Sequence, residues 1–392
     1  MSTPARQLLD YLQERRSALA DLVEALAAVE SPSDVPASQG AAFDLFEGAL
    51  RERGLVTFRH SGRTSGGTLY ARPSRRARGQ PVQLIIGHID TVWPVGTLAD
   101  MPTVRTEDRL RGPGVYDMKA GLAMMVFALE AIREHGLEPQ VLPLILVNSD
   151  EEIGSRDSGG QIRRLARIAD RALILEPSMG PAGIIKTARK GVGRYTIHVR
   201  GKAAHAGLDP EAGASAILEL AHQVQRLFQL NDPAHGVSVN VGTIDGGLRP
   251  NVIAPESRAV VDVRVPTHAD AERIDAAIHA LEPVTSGVSL RVEGRIGRPP
   301  MEPRARDRAL WNSAVAAAQE LGLTLEQGTA GGGSDGNTTS QYTATLDGLG
   351  AVGDGAHAHH EFVFLNTLAE RTALLAMLLM TPPLRGRHEY GD

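Results

Sequence analysis

Residues 141–155 read VLPLILVNSDEEIGS, an apolar run that ends in three consecutive acidic residues, Asp150, Glu151 and Glu152. An apolar run bounded by turn residues indicates a strand buried on both faces of a sheet. Adjacent carboxylates raise each other's pKa unless a cation, a proton or bulk water relieves their repulsion. The stretch therefore predicts a central strand and leaves open which of the three relieves its charge.

Similar apolar runs lie before and after this strand in the chain. They read VQLIIGHIDTV at residues 82–92 and RALILEPS at residues 171–178. Strands that alternate with helices predict an α/β fold with a mostly parallel sheet and helices on both of its faces. Apolar residues at helical spacing predict helices over residues 5–29, 40–53, 118–134, 160–169, 306–321 and 367–380.

A second kind of pattern begins near residue 188. Residues 190–207 read KGVGRYTIHVRGKAAHAG, which opens with the apolar and polar alternation of a half-solvated strand. The elements that follow predict the order strand, helix, strand, strand, helix, strand, which is that of an independent ferredoxin-like α+β unit. We therefore expect one domain from residues 1–187 and 300–392, interrupted by an inserted domain at residues 188–299.

Composition limits the possible functions. The chain has 392 residues, a net charge of −5 and no cysteine. A mild negative charge gives no electrostatic case for binding nucleic acid or an anionic membrane. The absence of cysteine excludes disulfides, thiolate metal sites and a cysteine nucleophile, so any metal must be held by His, Asp and Glu. The amphipathic N-terminal pattern is neither a signal peptide nor a membrane span, which predicts a cytoplasmic location.

Most candidate ligands follow the apolar strands directly, whereas Asp117 lies in a loop just before a helix and His357 lies between a strand and the last helix. In open α/β sheets, chemistry gathers beyond the carboxyl ends of the strands, so residues distant in sequence can meet there. Histidine and carboxylate ligands without sulfur suit a pair of zinc ions or other borderline divalent cations. One further carboxylate in the acidic triplet is then available to move a proton. The candidates are His88, Asp90, Asp117, Glu151, Glu152, Glu176 and His357.

Five motifs give this pattern a family resemblance. GHIDTV, GVYDMKAG, SDEEIGS, LEPS and GAHAHHE stand in the order and approximate spacing of the M20 metallopeptidases, from about residue 80 to the C-terminus. This co-catalytic zinc family includes glutamate carboxypeptidases, acetylornithine deacetylases, succinyl-diaminopimelate desuccinylases and aminoacylases. The lid residues resemble the glutamate carboxypeptidase branch most closely.

The resemblance implies a role for each candidate. His88, Asp117 and Glu176 would bind one metal ion, and Asp117, Glu152 and His357 the other, so that Asp117 bridges the two. Glu151 would be the general base that activates water and later protonates the leaving amine. Asp90 would orient the His88 imidazole, and a cis peptide bond would follow Asp117.

The inserted domain resembles the lid and dimerisation domain of that family. His205 matches a histidine that reaches the partner subunit's active site and stabilises the oxyanion. Asn251, Arg264 and Arg298 match residues that bind the carboxylate end of the substrate, a task that suits the planar fork of arginine. A homodimer formed through the inserted domain is therefore expected.

Several alternatives compete with these assignments. His359 and His360 lie close to His357 and are not distinguished from it by composition; the resemblance implies His357, because the ligand histidine of the family precedes a glutamate, here Glu361, by four residues. GGSDG, residues 332–336, fits the nucleophile elbow of a serine hydrolase with Ser334 as nucleophile, although the preceding residues make a poor central strand. A metal-binding scaffold without activity is a further alternative. For Asp150 we expect a solvated, structural role.

The sequence thus predicts zinc-dependent hydrolysis of an amide bond to a C-terminal amino acid, with glutamate as the leading candidate. Removal of the acyl group from an N-acyl amino acid uses the same chemistry and is the main alternative. Two divalent ions per subunit are expected, Zn²⁺ first and Mn²⁺ or Co²⁺ otherwise. The expected substrate is a small peptide or an N-acyl amino acid.

Overall fold

The computed structural model describes residues 3–384, and these fall into two compact units. Unit 1 contains the residues up to Thr187, Pro303–Thr329 and the residues from Ser334 onward. Unit 2 contains Ala188–Glu302 and Ala330–Gly333. The sequence predicts domain borders at residues 187/188 and 299/300. These borders, and the roles of the two domains, stay predictions.

The helices begin and end close to the limits that the apolar spacing predicts, with one exception. The expected helix over residues 5–29 is wrong as a single element, because it is broken at Arg15. No glycine or proline marks this break; the Arg15 guanidinium instead donates to Glu130, at 3.0 Å. The helices are α1 Pro4–Glu14, α2 Arg16–Ala27, α3 Gln39–Glu52, α4 Thr97–Asp100, α5 Ala120–Glu134, α6 Gly159–Ala166, α7 Ala216–Phe228, α8 His268–His279, α9 Ala305–Glu320, α10 Asp335–Thr339 and α11 Leu368–Met380.

The strands are shorter and are shared among several sheets. They are β1 Leu55–His60, β2 Thr68–Pro73, β3 Val82–His88, β4 Val104–Arg105, β5 Arg109–Arg111, β6 Leu142–Asn148, β7 Ala169–Ile174, β8 Ile185–Arg189, β9 Gly191–Arg200, β10 Ser238–Gly246, β11 Glu256–Val265, β12 Ser289–Arg298, β13 Gln327–Ala330, β14 Ala344–Leu346, β15 Gly353–Asp354 and β16 Phe362–Phe364. Within residues 3–384, no helix is long and apolar enough to cross a membrane.

The main sheet of unit 1 has the strand order β1-β2-β6-β3-β7-β14. Strands β6, β3, β7 and β14 are parallel, whereas β1 and β2 form an antiparallel edge. Every residue of β3 and β6 is buried, as the uninterrupted apolar runs predict. The predicted α/β fold with a mostly parallel sheet is confirmed.

Helices cover both faces of this sheet because alternate strand residues point to opposite sides. Leu84 and Leu144 pack in one cluster with residues of α6, while Ile85 and Ile145 belong to a second cluster that includes α5 and α11. The parallel strands also place their carboxyl ends along one edge, where His88 pairs in register with Asn148, just before the acidic triplet. This edge carries the candidate site.

Unit 2 contains an antiparallel sheet of order β10-β11-β9-β12. Its strands and helices follow one another as β9, α7, β10, β11, α8 and β12, which is the ferredoxin-like order predicted from the sequence. Tyr195 and Ile197 of β9 pack in one cluster with Leu220 of α7 and Ile274 of α8. The helices thus cover one face of the sheet, and the polar residues of the strands lie on the other.

Candidate active site

His88, the last residue of β3, is buried at the carboxyl edge of the main sheet. Its Nδ1 lies 2.9 Å from the carbonyl oxygen of Asp90 and 3.4 Å from the Asp90 carboxylate. Its Nε2 lies 3.2 Å from Asp117 Oδ1 and 3.5 Å from Glu176 Oε1. Asp90 therefore orients the ring so that Nε2 faces the other candidate ligands.

Asp117 lies between two histidines. One of its oxygens faces His88, and the other, Oδ2, lies 3.4 Å from His357 Nε2. The same His357 nitrogen lies 3.1 Å from Glu152 Oε2. Asp117 sits in a wide helical turn before α5, and its peptide bond to Met118 is cis, as the resemblance implies. The carboxylate thus presents one oxygen to each histidine.

The remaining acids of the predicted set lie around the same point. Ligand atoms of His88, Glu151 and Glu176 are within 4.8 Å of one another, as are those of His88, Asp117 and Glu152. Glu151 and Glu176 are buried. The first group places Glu151 as close to the cluster as a ligand would be, so geometry alone does not separate the base from the ligands.

Asp90 does more than the sequence predicted. Besides orienting His88, its carboxylate accepts hydrogen bonds from the backbone N–H groups of Glu151 and Glu152, at 3.3 and 3.2 Å, and from the Ser33 hydroxyl, at 2.6 Å. It therefore connects the end of β3 to the turn after β6. The Asp90 carboxylate thus positions the acidic pair, and its backbone carbonyl oxygen is the hydrogen-bond partner of the His88 imidazole.

Asp150 differs from its expected solvated state, and that prediction is wrong. Asp150 is buried, and its Oδ2 accepts hydrogen bonds from the backbone N–H groups of Asp157 and Ser158, at 2.7 and 3.2 Å. The turn folds back so that these amides face the carboxylate. The role is structural, as expected, but backbone donors rather than water contact Oδ2, and Oδ1 is buried without a hydrogen-bond partner among residues 3–384.

Glu361 is a positioning residue that sequence reasoning used only as a spacing marker. Its buried carboxylate accepts hydrogen bonds from the backbone N–H groups of Gly114, Tyr116 and Asp117 and from the Trp93 indole, all at 2.9–3.0 Å. Because Glu361 follows His357 by four residues, it joins the Asp117 turn to the histidine segment. The only sequence signal was that Glu361 follows the candidate ligand His357 by four residues.

The structure also separates the three neighbouring histidines. His357 contacts Asp117 and Glu152, whereas the His359 ring lies 5.3 Å from that of Trp93. His357 has a φ of 60°, a backbone conformation that is uncommon without glycine. Such outliers often occur at functional sites, where the surrounding structure maintains them.

The carboxylates of the cluster stabilise positive charge on the neighbouring histidines. Burial opposes protonation of His88, but hydrogen bonds to Asp117, Asp90 and Glu176 raise its pKa well above the usual value. Hydrogen bonds to Asp117 and Glu152 raise the pKa of His357 to about 10. Burial and the Asp117 charge raise the pKa of Glu152 to about 7. The crowded acids are therefore relieved by a proton or a cation and not by bulk water.

Two of the predicted residues of unit 2 lie side by side. The Asn251 carbonyl accepts a hydrogen bond from the backbone N–H of Ala206, at 3.0 Å, next to His205. The exposed His205 ring accepts hydrogen bonds at Nδ1 from the N–H groups of Gly207 and Leu208, both at 3.1 Å. Its Nε2 therefore carries the proton and can act as a donor.

The other two predicted residues lie in the sheet of unit 2. Arg264 on β11 and Arg298 on β12 both pair in register with Val192. Arg264 also forms a two-point ion pair with Asp262, at 2.8 and 3.1 Å, so the alternative of a salt-bridge partner has a geometric basis. The roles of these residues in substrate binding stay predictions.

Ser334 lacks the surroundings of a catalytic serine. Its buried hydroxyl donates to Asp347 Oδ2, at 2.6 Å, and accepts a hydrogen bond from the N–H of Gly336 at the start of α10. Strand β13, which precedes it, is not part of the main sheet. Within residues 3–384 no histidine is hydrogen-bonded to Ser334, so its structure is that of a helix N-cap.

The chain is similar to several known proteins. A profile of peptidase family M20/M25/M40 matches residues 84–381. The chain is 28% identical over 383 residues to carboxypeptidase G2 of a Pseudomonas species, covering 95% of this chain and 91% of that protein. It is 28% identical over 382 residues to a succinyl-diaminopimelate desuccinylase of a Bradyrhizobium species, covering 90% and 96%.

A solved structure shares the fold. The aminopeptidase PepT of Bacillus cereus aligns with a TM-score of 0.78 at 21% identity, over 93% of this chain and 98% of that one. The family profile spans well over half of the sequence and includes the strand ends that carry the clustered acids and histidines. The prediction of an M20-type hydrolase is confirmed, and the chain belongs to peptidase family M20/M25/M40.

Proposed function

We propose that this protein is a two-metal amide hydrolase that releases a C-terminal amino acid, most closely of the glutamate carboxypeptidase type. One observation carries the proposal: the Asp117 carboxylate presents one oxygen to each of two histidines, His88 and His357. A carboxylate between two sets of ligands is the arrangement that a bridged pair of cations requires.

The residues present fit divalent cations. Glu152 Oε1 is buried and has no hydrogen-bond partner within residues 3–384, and a ligated cation would satisfy it. The donors are imidazole nitrogens and carboxylate oxygens without sulfur, which suits zinc and also manganese or cobalt. His88, Asp117 and Glu176 would hold one ion, and Asp117, Glu152 and His357 the other.

Bound divalent cations polarise a carbonyl group and lower the pKa of water. Glu151 would take the proton from the attacking water and return it to the leaving amine, so that the amide bond breaks with no net proton change on the enzyme. Its backbone N–H is held by Asp90, which keeps this acid beside the cluster. Glu151 is the proposed base because the family resemblance assigns it that role, while Glu152 contacts His357 as a ligand would.

The substrate would be a small peptide or an N-acyl amino acid. We propose that Arg264, Arg298 and Asn251 of unit 2 bind its carboxylate end, because a guanidinium binds a carboxylate at two points. Likeness to carboxypeptidase G2 favours release of a C-terminal amino acid, and glutamate is the candidate that the family resemblance implies. Likeness to a desuccinylase keeps deacylation of an N-acyl amino acid as the alternative.

Unit 2 would also serve as lid and dimerisation domain. Its edge strand β10 and helix α7 carry exposed apolar side chains, among them Ile244, Ile217 and Leu218, which are 48–62% exposed. An unpaired strand edge with apolar neighbours is a surface that a second copy can cover. In such a dimer, His205 would donate its Nε2–H to the oxyanion in the partner's active site.

A metal and substrate screen tests the proposal. Chelator-treated protein is supplied with zinc, manganese or cobalt and assayed against matched peptidyl and N-acyl amino acids. We expect hydrolysis that is lost on chelation and restored by a divalent ion. Activity that survives chelation would support the serine hydrolase alternative, and no hydrolysis under any condition would support a scaffold.

A further inference from the structure

The open face of the unit 2 sheet carries two neighbouring rows of side chains near the end of β11. The first, called the Val192 row, consists of Arg264, Val192 and Arg298, which pair in register across three strands. Because cross-strand partners project to the same side of a sheet, both arginines share the face of Val192.

A β-bulge places Arg298 on this face. The register of β12 against β9 shifts between Ile296 and Arg298, so the extra residue Gly297 has no partner. Without the bulge, strict alternation would turn Arg298 toward the helices, on the side of Ile296. Bulges often redirect a side chain next to a functional site.

The second row, called the Arg194 row, lies two residues further along β9, about 7 Å from the first. It consists of Asp262, Arg194 and Arg295 in register. Arg194 and Arg295 are directly opposite each other and exposed. Like charges in this position destabilise a sheet unless an anion lies between them.

No acid of the described chain neutralises this pair. Asp262, the nearest carboxylate in register, is held at two points by Arg264. Neither Arg194 nor Arg295 has a carboxylate oxygen of a described acid within 4 Å of its guanidinium group. Two guanidinium groups are therefore left facing solvent with their donors available.

The rest of the same face is balanced, which makes the pair unusual. Arg291 lies 2.6 Å from Glu293, and Arg258 lies 3.5 Å from Asp245. Each of these cations has an acidic neighbour, as expected of a solvated sheet surface. The excess of positive charge is confined to the two rows that include the predicted carboxylate-binding arginines.

We propose that Arg194 and Arg295 bind the side-chain carboxylate of a dicarboxylic leaving amino acid whose α-carboxylate binds at the Val192 row. This inference rests on the proposed function. Two arginines enclosing one carboxylate supply more donors than its oxygens can use, so the pair selects an acid over its neutral amide. The two rows lie about 7 Å apart, and the long, flexible arginine side chains can shorten the distance between their guanidinium groups. This spacing suits a ligand whose two carboxylates are a few bonds apart. Arg194 and Arg295 thus act as specificity residues and not as part of the hydrolytic cluster.

The test measures a ratio of rates. Matched N-acyl-glutamate and N-acyl-glutamine substrates are compared in the metal-loaded protein, its Arg194→Gln and Arg295→Gln variants and the double variant. We expect the wild-type preference for the acid in kcat/KM to fall by about tenfold or more in the double variant, since charge-assisted hydrogen bonds are lost. Arg291→Gln, on the same face but paired with Glu293, is the matched control and should keep the wild-type ratio.

Binding of free amino acids separates this inference from the proposed function. Calorimetric titration with glutamate and glutamine needs no turnover. Suppose that no amide is hydrolysed but glutamate binds the wild type at least tenfold tighter than the double variant. This result would contradict the proposed function and would support the binding of a carboxylate by Arg194 and Arg295. An unchanged substrate ratio in the double variant, or glutamate binding that is absent or equal in both proteins, would overturn the inference.

Discussion

The acidic cluster of unit 1 and the arginine rows of unit 2 bear opposite charge and lie in opposite surroundings. The acids in and around the cluster of unit 1 are buried or half-buried, and backbone amides hold Asp90, Asp150 and Glu361 in place. Arg194 and Arg295 of unit 2 are exposed on an open sheet. Buried charge must be compensated within the fold, whereas exposed charge is solvated until a ligand replaces the water.

This difference predicts which properties of the protein a substitution in each unit changes. In unit 1, a change of one acid alters the positions of its neighbours, so chemistry, metal affinity and stability can change together. In unit 2, a change of one arginine should alter recognition and leave the fold intact. The following substitutions, from the largest expected effect to the smallest, test whether effects in unit 1 are combined while effects in unit 2 are limited to recognition.

Glu151→Gln should have the largest effect. The amide keeps the shape of the side chain but cannot take a proton from water, so kcat should fall by about 10³-fold or more. Steady-state kinetics together with metal analysis would check this, with metal content expected to stay as in the wild type. Glu138→Gln, an exposed acid of the same unit, is the control. Loss of metal in the Gln variant would instead assign Glu151 as a ligand.

His205 offers a matched pair of substitutions in unit 2. Asparagine can replace the Nδ1 acceptor that holds Gly207 and Leu208, whereas glutamine can replace the Nε2 donor. If the donor stabilises the oxyanion, His205→Asn should lower kcat by about 10²-fold or more, and His205→Gln should retain more activity. Activity that is retained in His205→Asn and lost in His205→Gln would favour a role in the turn alone.

The proposed action of His205 on the partner subunit has its own test. A mixed dimer of the His205→Ala and Glu151→Gln chains should recover one working site, although neither parent dimer is active. Activity is measured after the two inactive proteins are mixed and allowed to exchange subunits. An exchanged sample without activity would contradict the arrangement between subunits.

Glu361→Gln should have an intermediate effect that combines positioning and stability. Each carboxylate oxygen of Glu361 accepts two N–H groups, and the amide nitrogen of glutamine would face two donors. Metal affinity should fall by about 10- to 100-fold, as for other residues that orient ligands. The free energy of unfolding should fall by roughly 1–3 kcal/mol.

Calorimetric metal titration and denaturant unfolding would measure these two effects of Glu361→Gln. The exposed Glu107→Gln serves as control. If metal affinity stays constant while stability falls, Glu361 supports the fold without positioning Asp117. If both stay constant, the hydrogen bonds of its carboxylate have no energetic role.

Glu130→Gln should affect stability and leave the cluster unchanged. Glu130 is buried in unit 1 and accepts hydrogen bonds from Tyr11, Arg15 and Arg53, at 2.9–3.0 Å. Burial works against its charge, but Tyr11 and the two arginines lower its pKa below the usual value. A lowered folded-state pKa contributes stability that is present above the unfolded pKa of about 4.3 and is lost as the pH falls through the folded value.

The measurement for Glu130→Gln is unfolding by denaturant at neutral and acidic pH. We expect the variant to lose roughly 1–3 kcal/mol at pH 7 and the difference from the wild type to shrink in acid. Metal affinity and kcat should stay at wild-type values. A loss of activity would show that buried charge outside the cluster also positions the cluster.

Much of the fold could be predicted because its signals are local. The apolar runs of β3 and β6 and the alternation of β9 are readable from a few neighbouring residues. The convergence of His88, Glu151 and Glu176 also follows, since parallel strands end along one edge. The family resemblance rests on the order of the motifs that contain these residues.

Other features could not be predicted because they depend on distant partners. The break at Arg15 accompanies a contact with Glu130, which lies 115 positions further along the chain. The burial of Asp150 depends on a turn that returns the amides of Asp157 and Ser158 to its carboxylate. Neither contact leaves a periodic pattern in the sequence.

The sequence by itself therefore determined the fold class, the family and the set of candidate ligands, because periodicity and motif order are properties of neighbouring residues. Only the tertiary structure decided the contacts that the motifs do not show: Asp150 buried against backbone amides, Glu361 holding the turn of Asp117, and Arg194 opposite Arg295. The physical reason is that hydrogen bonds, burial and strand register join residues far apart in the chain. The role of a charged side chain therefore depends on the residues that lie next to it in the folded protein.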